Sequence, residues 1–151
     1  IYLAMNLGAF ACILAMRRDG QAVEEIADLA GLNRTHPALA LALAVFMFSL
    51  AGLPPLAGFF GKLYIFMAAV EAGLVPLAVI GLLASVVAAF YYLRIVKLMY
   101  FDEPAEAFDR PMGRAASSIV AVCATVTFFF FLVLAPVLDS AKGAASALFP
   151  P

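Results

Sequence analysis

The sequence predicts an all-α integral membrane protein, and three observations carry that reading. Of 151 residues, 66% are hydrophobic and 13% are charged, against about 25% charged in an ordinary soluble domain. The mean hydropathy is +1.07. The charges gather into a few polar stretches and leave long apolar runs between them. A soluble chain of this size would lack the polar residues to cover its surface. Nucleic-acid binding is excluded too: 9 Lys and Arg face 10 Asp and Glu, a net charge of −1 with no basic region.

The chain starts on Ile1 within an apolar run, so it reads as a piece of a longer protein. Residues 1–16 read as the tail of a membrane helix, and residues 17–36 as a polar loop. Residues 37–70 are apolar apart from one charge and read as a span broken near 52–55. Residues 74–98 form the next span, residues 99–114 a second polar loop, and residues 115–138 the last span. A span takes about 20 residues. The chain is thus one membrane domain, 1–151, of one truncated and three full spans. In the first loop, Val23, Ile26, Ala27 and Ala30 recur at helical spacing, with Glu24, Glu25 and Asp28 on other faces. This predicts a short amphipathic helix at the interface or against a neighbouring subunit.

The cations set the expected orientation. Arg17, Arg18 and Arg34 lie in the first loop, and Arg94, Lys97, Arg110 and Arg114 flank the second. Only Lys142 lies on the other side if each apolar run crosses once. The positive-inside rule then puts both long loops in the cytoplasm and the C-terminus outside.

Most remaining polar residues have plain readings. Cys12 and Cys123 sit in apolar runs as small hydrophobes, and neither has a Cys or His at metal-ligand spacing, so no metal site is expected. Asn6, Ser85, Thr125 and Thr127 read as interhelical hydrogen bonders. Tyr91, Tyr92, Arg94, Lys97 and Tyr100 form an aromatic belt with snorkelling cations. His36, beside Pro37, reads as a solvated interfacial residue. No Ser-His-Asp set, phosphate loop or dinucleotide fingerprint occurs, so no catalytic residue or cofactor is expected in this chain.

The chemistry concentrates in residues 37–70. As one straight helix they would run about 51 Å, against a hydrocarbon core about 30 Å thick. Ala51-Gly52-Leu53-Pro54-Pro55 is where the helix breaks. In a continuous helix, residues 54 and 55 would bond the carbonyls of Leu50 and Ala51, but prolines have no N–H to give. Free carbonyls are tolerated at membrane depth where they line a hydrated cavity, and such breaks recur at ion sites in transporters. A proline kink by itself is equally compatible with a structural bend.

Lys62 tips the balance, because it is the only charge well inside an apolar run. Placing a lysine at the centre of a span costs about 2.5–3.5 kcal/mol on insertion scales. To snorkel out past Val70 it would reach about 12 Å along the axis, more than its stem can span. Helical side chains lean toward their own N-terminus, so the ammonium points back at the break, about 10 Å off along the axis and within reach of one or two bridging waters. Gly58 and Gly61 remove bulk beside that path, or let another helix approach closely. Desolvation disfavours the charged form of any amine, so a buried lysine can carry a proton from one side to the other. A cationic side chain does not coordinate Na⁺, which favours proton over metal-cation transport.

The run Phe48-Ser-Leu-Ala-Gly-Leu-Pro-Pro-Leu-Ala-Gly-Phe-Phe-Gly-Lys62 resembles the broken helix of the antiporter-like subunits of respiratory complex I. The runs Tyr91–Phe101 and Tyr2–Ala11 are most similar to the subunit N branch of bacterial NADH–quinone oxidoreductase. The sister M branch carries glutamate where Lys62 stands, and the L branch follows its lysine with an acidic residue where this chain has Leu63 and Tyr64. The resemblance implies the C-terminal part of an antiporter-like helix bundle in the bacterial inner membrane, with Lys62 on the exit half of a proton path. It implies other membrane-arm subunits as partners. NADH, flavin, iron–sulfur clusters and quinone would belong to those and other subunits. A subunit of a multi-subunit cation/proton antiporter, which shares the domain, is the competing expectation.

Overall fold

The computed structural model describes residues 1–23, 25–109 and 112–148. Glu24 and Arg110, named above for their charges, lie outside the described residues. Among the described residues seven helices run in order: α1 (Tyr2–Ala15), the single-turn α2 (Leu32–Thr35), α3 (Pro37–Ala51), α4 (Ala57–Glu71), α5 (Val75–Phe101), α6 (Arg114–Phe129) and α7 (Leu134–Leu148). Among the described residues two helices are long and apolar enough to cross a membrane: Val75–Phe101 and Arg114–Leu132, the latter counting the 3₁₀ turn that follows α6.

Helix α3 is the hub, packed against α1, α4, α5 and α6. It opens on Pro37, whose missing N–H costs nothing at a helix start. Its apolar residues face every direction, and Leu43, Phe46 and Met47 join Cys12 of α1, Met99 of α5 and Val120 of α6 in the core. The Phe46 ring lies so close over Gly8 that a Cβ there would overlap it, which is why α1 and α3 pack tightly. By contrast α4 buries only Ala57 and Gly58, at its first turn.

The two polar loops meet at one end of the bundle. Gly31 N–H donates to Leu98 C=O at 3.0 Å, and Ala105 N–H to Ala30 C=O at 2.9 Å. Arg18 bonds Asp28 at 2.9 Å and the Glu106 carbonyl at 2.8 Å. The first loop departs from the expected amphipathic helix. Arg17–Arg18 and Gln21–Ala22 pair as an antiparallel hairpin, and a 3₁₀ turn, Ile26–Leu29, and the single-turn α2 follow. The hairpin comes from Asp19-Gly20, whose φ values of 53° and 77° are those of a type I′ turn. Its ladder extends to Val23, whose N–H donates to Met16 C=O at 3.2 Å, so the first residue of the expected helix is held in extended pairing instead.

Asp109 of the second loop caps that turn, accepting from Gly20 N–H at 2.9 Å and Asp19 N–H at 3.3 Å. Asp109→Ala is expected to speed amide hydrogen exchange at Asp19 and Gly20 about tenfold, the weight of a charge-assisted hydrogen bond. Unchanged exchange would mean the carboxylate does not hold the turn.

The last apolar run differs as well. In place of one helix over 115–138, α6 ends at Phe129, a 3₁₀ turn covers Phe130–Leu132, and α7 starts at Leu134. Pro136 explains the interruption. Inside a continuous helix its ring would strike the carbonyl of Leu132, whereas within the first turn of α7 its missing N–H is harmless. One hydrogen-bonding expectation also changes. Asn6 bonds Tyr2 C=O in its own helix at 2.9 Å, and the buried Thr127 hydroxyl has no partner among the described residues. The His36 ring is half-buried and packs 5.7 Å from Phe108.

Candidate functional site

Between α3 and α4 the chain leaves helix for Gly52–Leu56. Gly52, at φ 90°, ends α3 in the left-handed region that glycine enters freely. Its N–H and that of Leu53 turn back to Phe48 C=O at 3.1 Å each, closing the last turn. Pro54 and Pro55 follow, both exposed. The carbonyls of Leu50 and Ala51 are therefore left without helical partners.

Lys62 supplies the partner. Its Nζ donates to Leu50 C=O at 2.9 Å, to Ala51 C=O at 3.1 Å and to the Ser85 hydroxyl of α5 at 2.7 Å. An ammonium has three N–H donors, and all three are used. It also sits at the C-terminus of α3, where the unpaired carbonyls concentrate negative partial charge. The bonds are direct, so the expected bridging waters are not needed. The reason is that α4 begins beside the last turn of α3, not beyond it, which removes the axial gap.

Ser49 and Gly58 produce that overlap. Gly58 N–H, one of the unbonded donors at the start of α4, donates to the Ser49 hydroxyl at 2.9 Å. Ser49 in turn donates to Met5 Sδ of α1 at 2.8 Å. A Cβ on Gly58 would collide with the Ser49 carbonyl oxygen, so only glycine allows the approach. At Gly52 a Cβ would meet the Lys62 stem at 3.0 Å.

Of the residues singled out in the sequence, Leu50, Ala51, Gly52, Gly58 and Lys62 thus come together. Pro54 and Pro55 shape the site without touching the ammonium. Gly61 lines a neighbouring cleft, with Ile1 Cδ1 4.0 Å from where its Cβ would be. Ser49 and Ser85 complete the site; the sequence reading makes Ser85 only an interhelical hydrogen bonder and does not single out Ser49, although a hydroxyl in an apolar run is the available signal for both.

Lys62 and Ser85 stand between two clefts. One, of about 560 Å³, reaches Tyr2, Met5, Ser49 and Tyr92. The other, of about 290 Å³, opens past Gly52, Phe59, Leu63 and Leu82. Lys62, Phe66 and Ser85 line both.

The site is thus a charged side chain, Lys62, seated on the last carbonyls of α3 inside an apolar helical bundle. A transmembrane family described as NADH:quinone oxidoreductase/Mrp antiporter matches residues 1–88, and the chain belongs to that family. It is 62% identical over 148 residues to NADH-quinone oxidoreductase subunit N of Rhodospirillum rubrum, covering 98% of this chain and 30% of that protein. To subunit N of Paramagnetospirillum magneticum it is 59% identical over 150 residues, 99% of this chain and 31% of that protein. The chain thus spans about a third of the length of the curated relatives it matches. Among solved structures, it superposes on respiratory complex I from Thermus thermophilus with bound aureothin at a TM-score of 0.76 and 34% identity, covering 91% of this chain and 32% of that one. The Mrp complex from Dietzia shares the fold, with a TM-score of 0.82 at 22% identity over 99% of this chain and 36% of that one.

Proposed function

We propose that this chain forms the C-terminal part of a proton-translocating membrane-arm subunit of NADH–quinone oxidoreductase, with Lys62 as a proton carrier on the exit half of its path. The observation that carries the proposal is the seat of the Lys62 ammonium on the two carbonyls freed by Pro54 and Pro55. In the membrane, α3 and α4 together make one broken crossing beside those of α5 and α6, and α1 ends the crossing before them. The meeting of the two polar loops at one end supports a common side for both, and their cations assign that side to the cytoplasm.

The chemistry follows from the donor count. While Nζ is charged, its three N–H bonds satisfy three acceptors. When it gives a proton to water in a cleft, an N–H bond breaks, the electron pair stays on nitrogen, and one acceptor loses its donor. The site thus has two hydrogen-bonding arrangements tied to two protonation forms. Quinone reduction, with NADH, flavin and iron–sulfur chemistry, takes place in other subunits of the complex, and the neighbouring membrane-arm subunits and the lipid bilayer are this chain's partners.

The family description also names Mrp antiporters, so sodium–proton exchange is the second reading. The complete complex in proteoliposomes separates the two. Quinone reduction is expected to drive a pH gradient of the same size with and without a sodium gradient. Sodium uptake coupled to proton release, with no electron donor present, would establish the antiporter reading instead.

A further inference from the structure

Two of the three acceptors around Lys62 are backbone carbonyls, which can only accept hydrogen bonds. The third, Ser85, is a hydroxyl and can do both. This difference matters only if Lys62 changes its protonation, so a role for Ser85 rests on the proton-carrier reading. A neutral amine has two N–H donors and one lone pair. The lone pair needs a donor, and the carbonyls of Leu50 and Ala51 cannot provide one.

We propose that Ser85 is a positioning residue that serves both protonation forms of Lys62 by reversing its own hydrogen bond. With the ammonium, the Ser85 oxygen accepts from Nζ, as at 2.7 Å in the structure. After Nζ passes a proton to water, the hydroxyl turns about its Cβ–Oγ bond and donates to the new lone pair. The two remaining N–H groups keep the two carbonyls satisfied. No covalent bond of the serine is made or broken, and the proton leaves as hydronium in the adjoining cleft. The position suits the task, since Ser85 is on α5, outside the broken α3–α4 crossing. It lines both clefts with Lys62, so the swing happens where water reaches either face of the amine. Without the hydroxyl, the neutral form leaves its lone pair unmatched and the cycle slows.

The test uses the full-length protein in its assembled complex, in membrane vesicles. Proton pumping per quinone reduced is measured for Ser85→Ala, Ser85→Thr, Ser85→Val and Lys62→Met. Thr and Val have nearly the same shape, and only Thr keeps a hydroxyl. Pumping is expected to fall about tenfold in Ser85→Ala and Ser85→Val, the weight of one hydrogen bond to a charged group, and to recover in Ser85→Thr. The double variant Lys62→Met with Ser85→Ala should pump no worse than Lys62→Met alone, because Ser85 acts through the lysine. Equal pumping by the Thr and Val variants, at any level, overturns the inference, since a packing role depends on shape. If Ser85→Ala fails to assemble, the Thr and Val pair answers the same question at matched volume. Normal pumping in Lys62→Met would instead overturn the proton-carrier reading itself, whatever Ser85 does.

Discussion

Lys62→Arg is expected to stop proton pumping while leaving the protein assembled, and Lys62→Met to stop pumping and weaken the fold as well. Arginine keeps a cation and several N–H donors for Leu50 C=O and Ala51 C=O, but it holds its proton at any accessible pH. It thus separates charge from proton exchange. Methionine has a similar length with neither. It leaves two part-buried carbonyls without donors, at up to about 1–3 kcal/mol each. Loss of a positioned proton-transfer group costs about a hundredfold or more in rate, so both variants should fall to background pumping. The measurement is quinone-driven acidification in vesicles matched for assembled complex. Wild-type pumping by the arginine variant would show that Lys62 acts as a fixed charge.

Gly58→Ala is expected to be the most damaging single-methyl change in the chain. Its Cβ would meet the Ser49 carbonyl oxygen, and backbone in a packed helix cannot rotate away as a side chain can. To make room, α4 must move off α3, which breaks the Gly58–Ser49 bond and draws Lys62 away from Leu50 and Ala51. Overpacking of this kind costs about 3 kcal/mol, with the lost hydrogen bond in addition. Gly61→Ala on the same helix has only Ile1 Cδ1 at 4.0 Å nearby and should change stability by less than about 1 kcal/mol. Thermal unfolding of the detergent-solubilised complex compares the two. Equal stability of the two variants would mean that the helices are not locked at Gly58.

The break and its lysine were legible because each depends on one residue type with one unavoidable property. Proline has no N–H, so the orphaned carbonyls can be counted from the chain alone. A charge among apolar neighbours needs a partner, and the side-chain lean gives the direction. Ser85 was less legible as the third partner, because its pairing is set by how α4 and α5 pack. Ser49 and Gly58 are nine residues apart, and nothing local says they touch. Other signals stand in the sequence but did not enter the expectations. Asp19-Gly20 is a hairpin signal just ahead of the helical spacing of Val23 to Ala30, which alone shaped them. Pro136 marks the start of α7, yet the unbroken hydropathy of 115–138 hid it.

The length of α3 has an electrical consequence. Its 15 residues begin at the polar-loop end and finish at the carbonyls that hold Lys62. Laid along the membrane normal, they reach about 22 Å into a core of about 30 Å. Lys62 would then stand about three quarters of the way across, and moving one charge through the full thickness takes about 2.3 kcal/mol per 100 mV. On the proton-carrier reading, a proton leaving Lys62 for the far side would work against only about a quarter of that voltage. Most of the electrical load would then fall on the steps that charge the lysine, and a rise in membrane potential should slow its loading far more than its discharge.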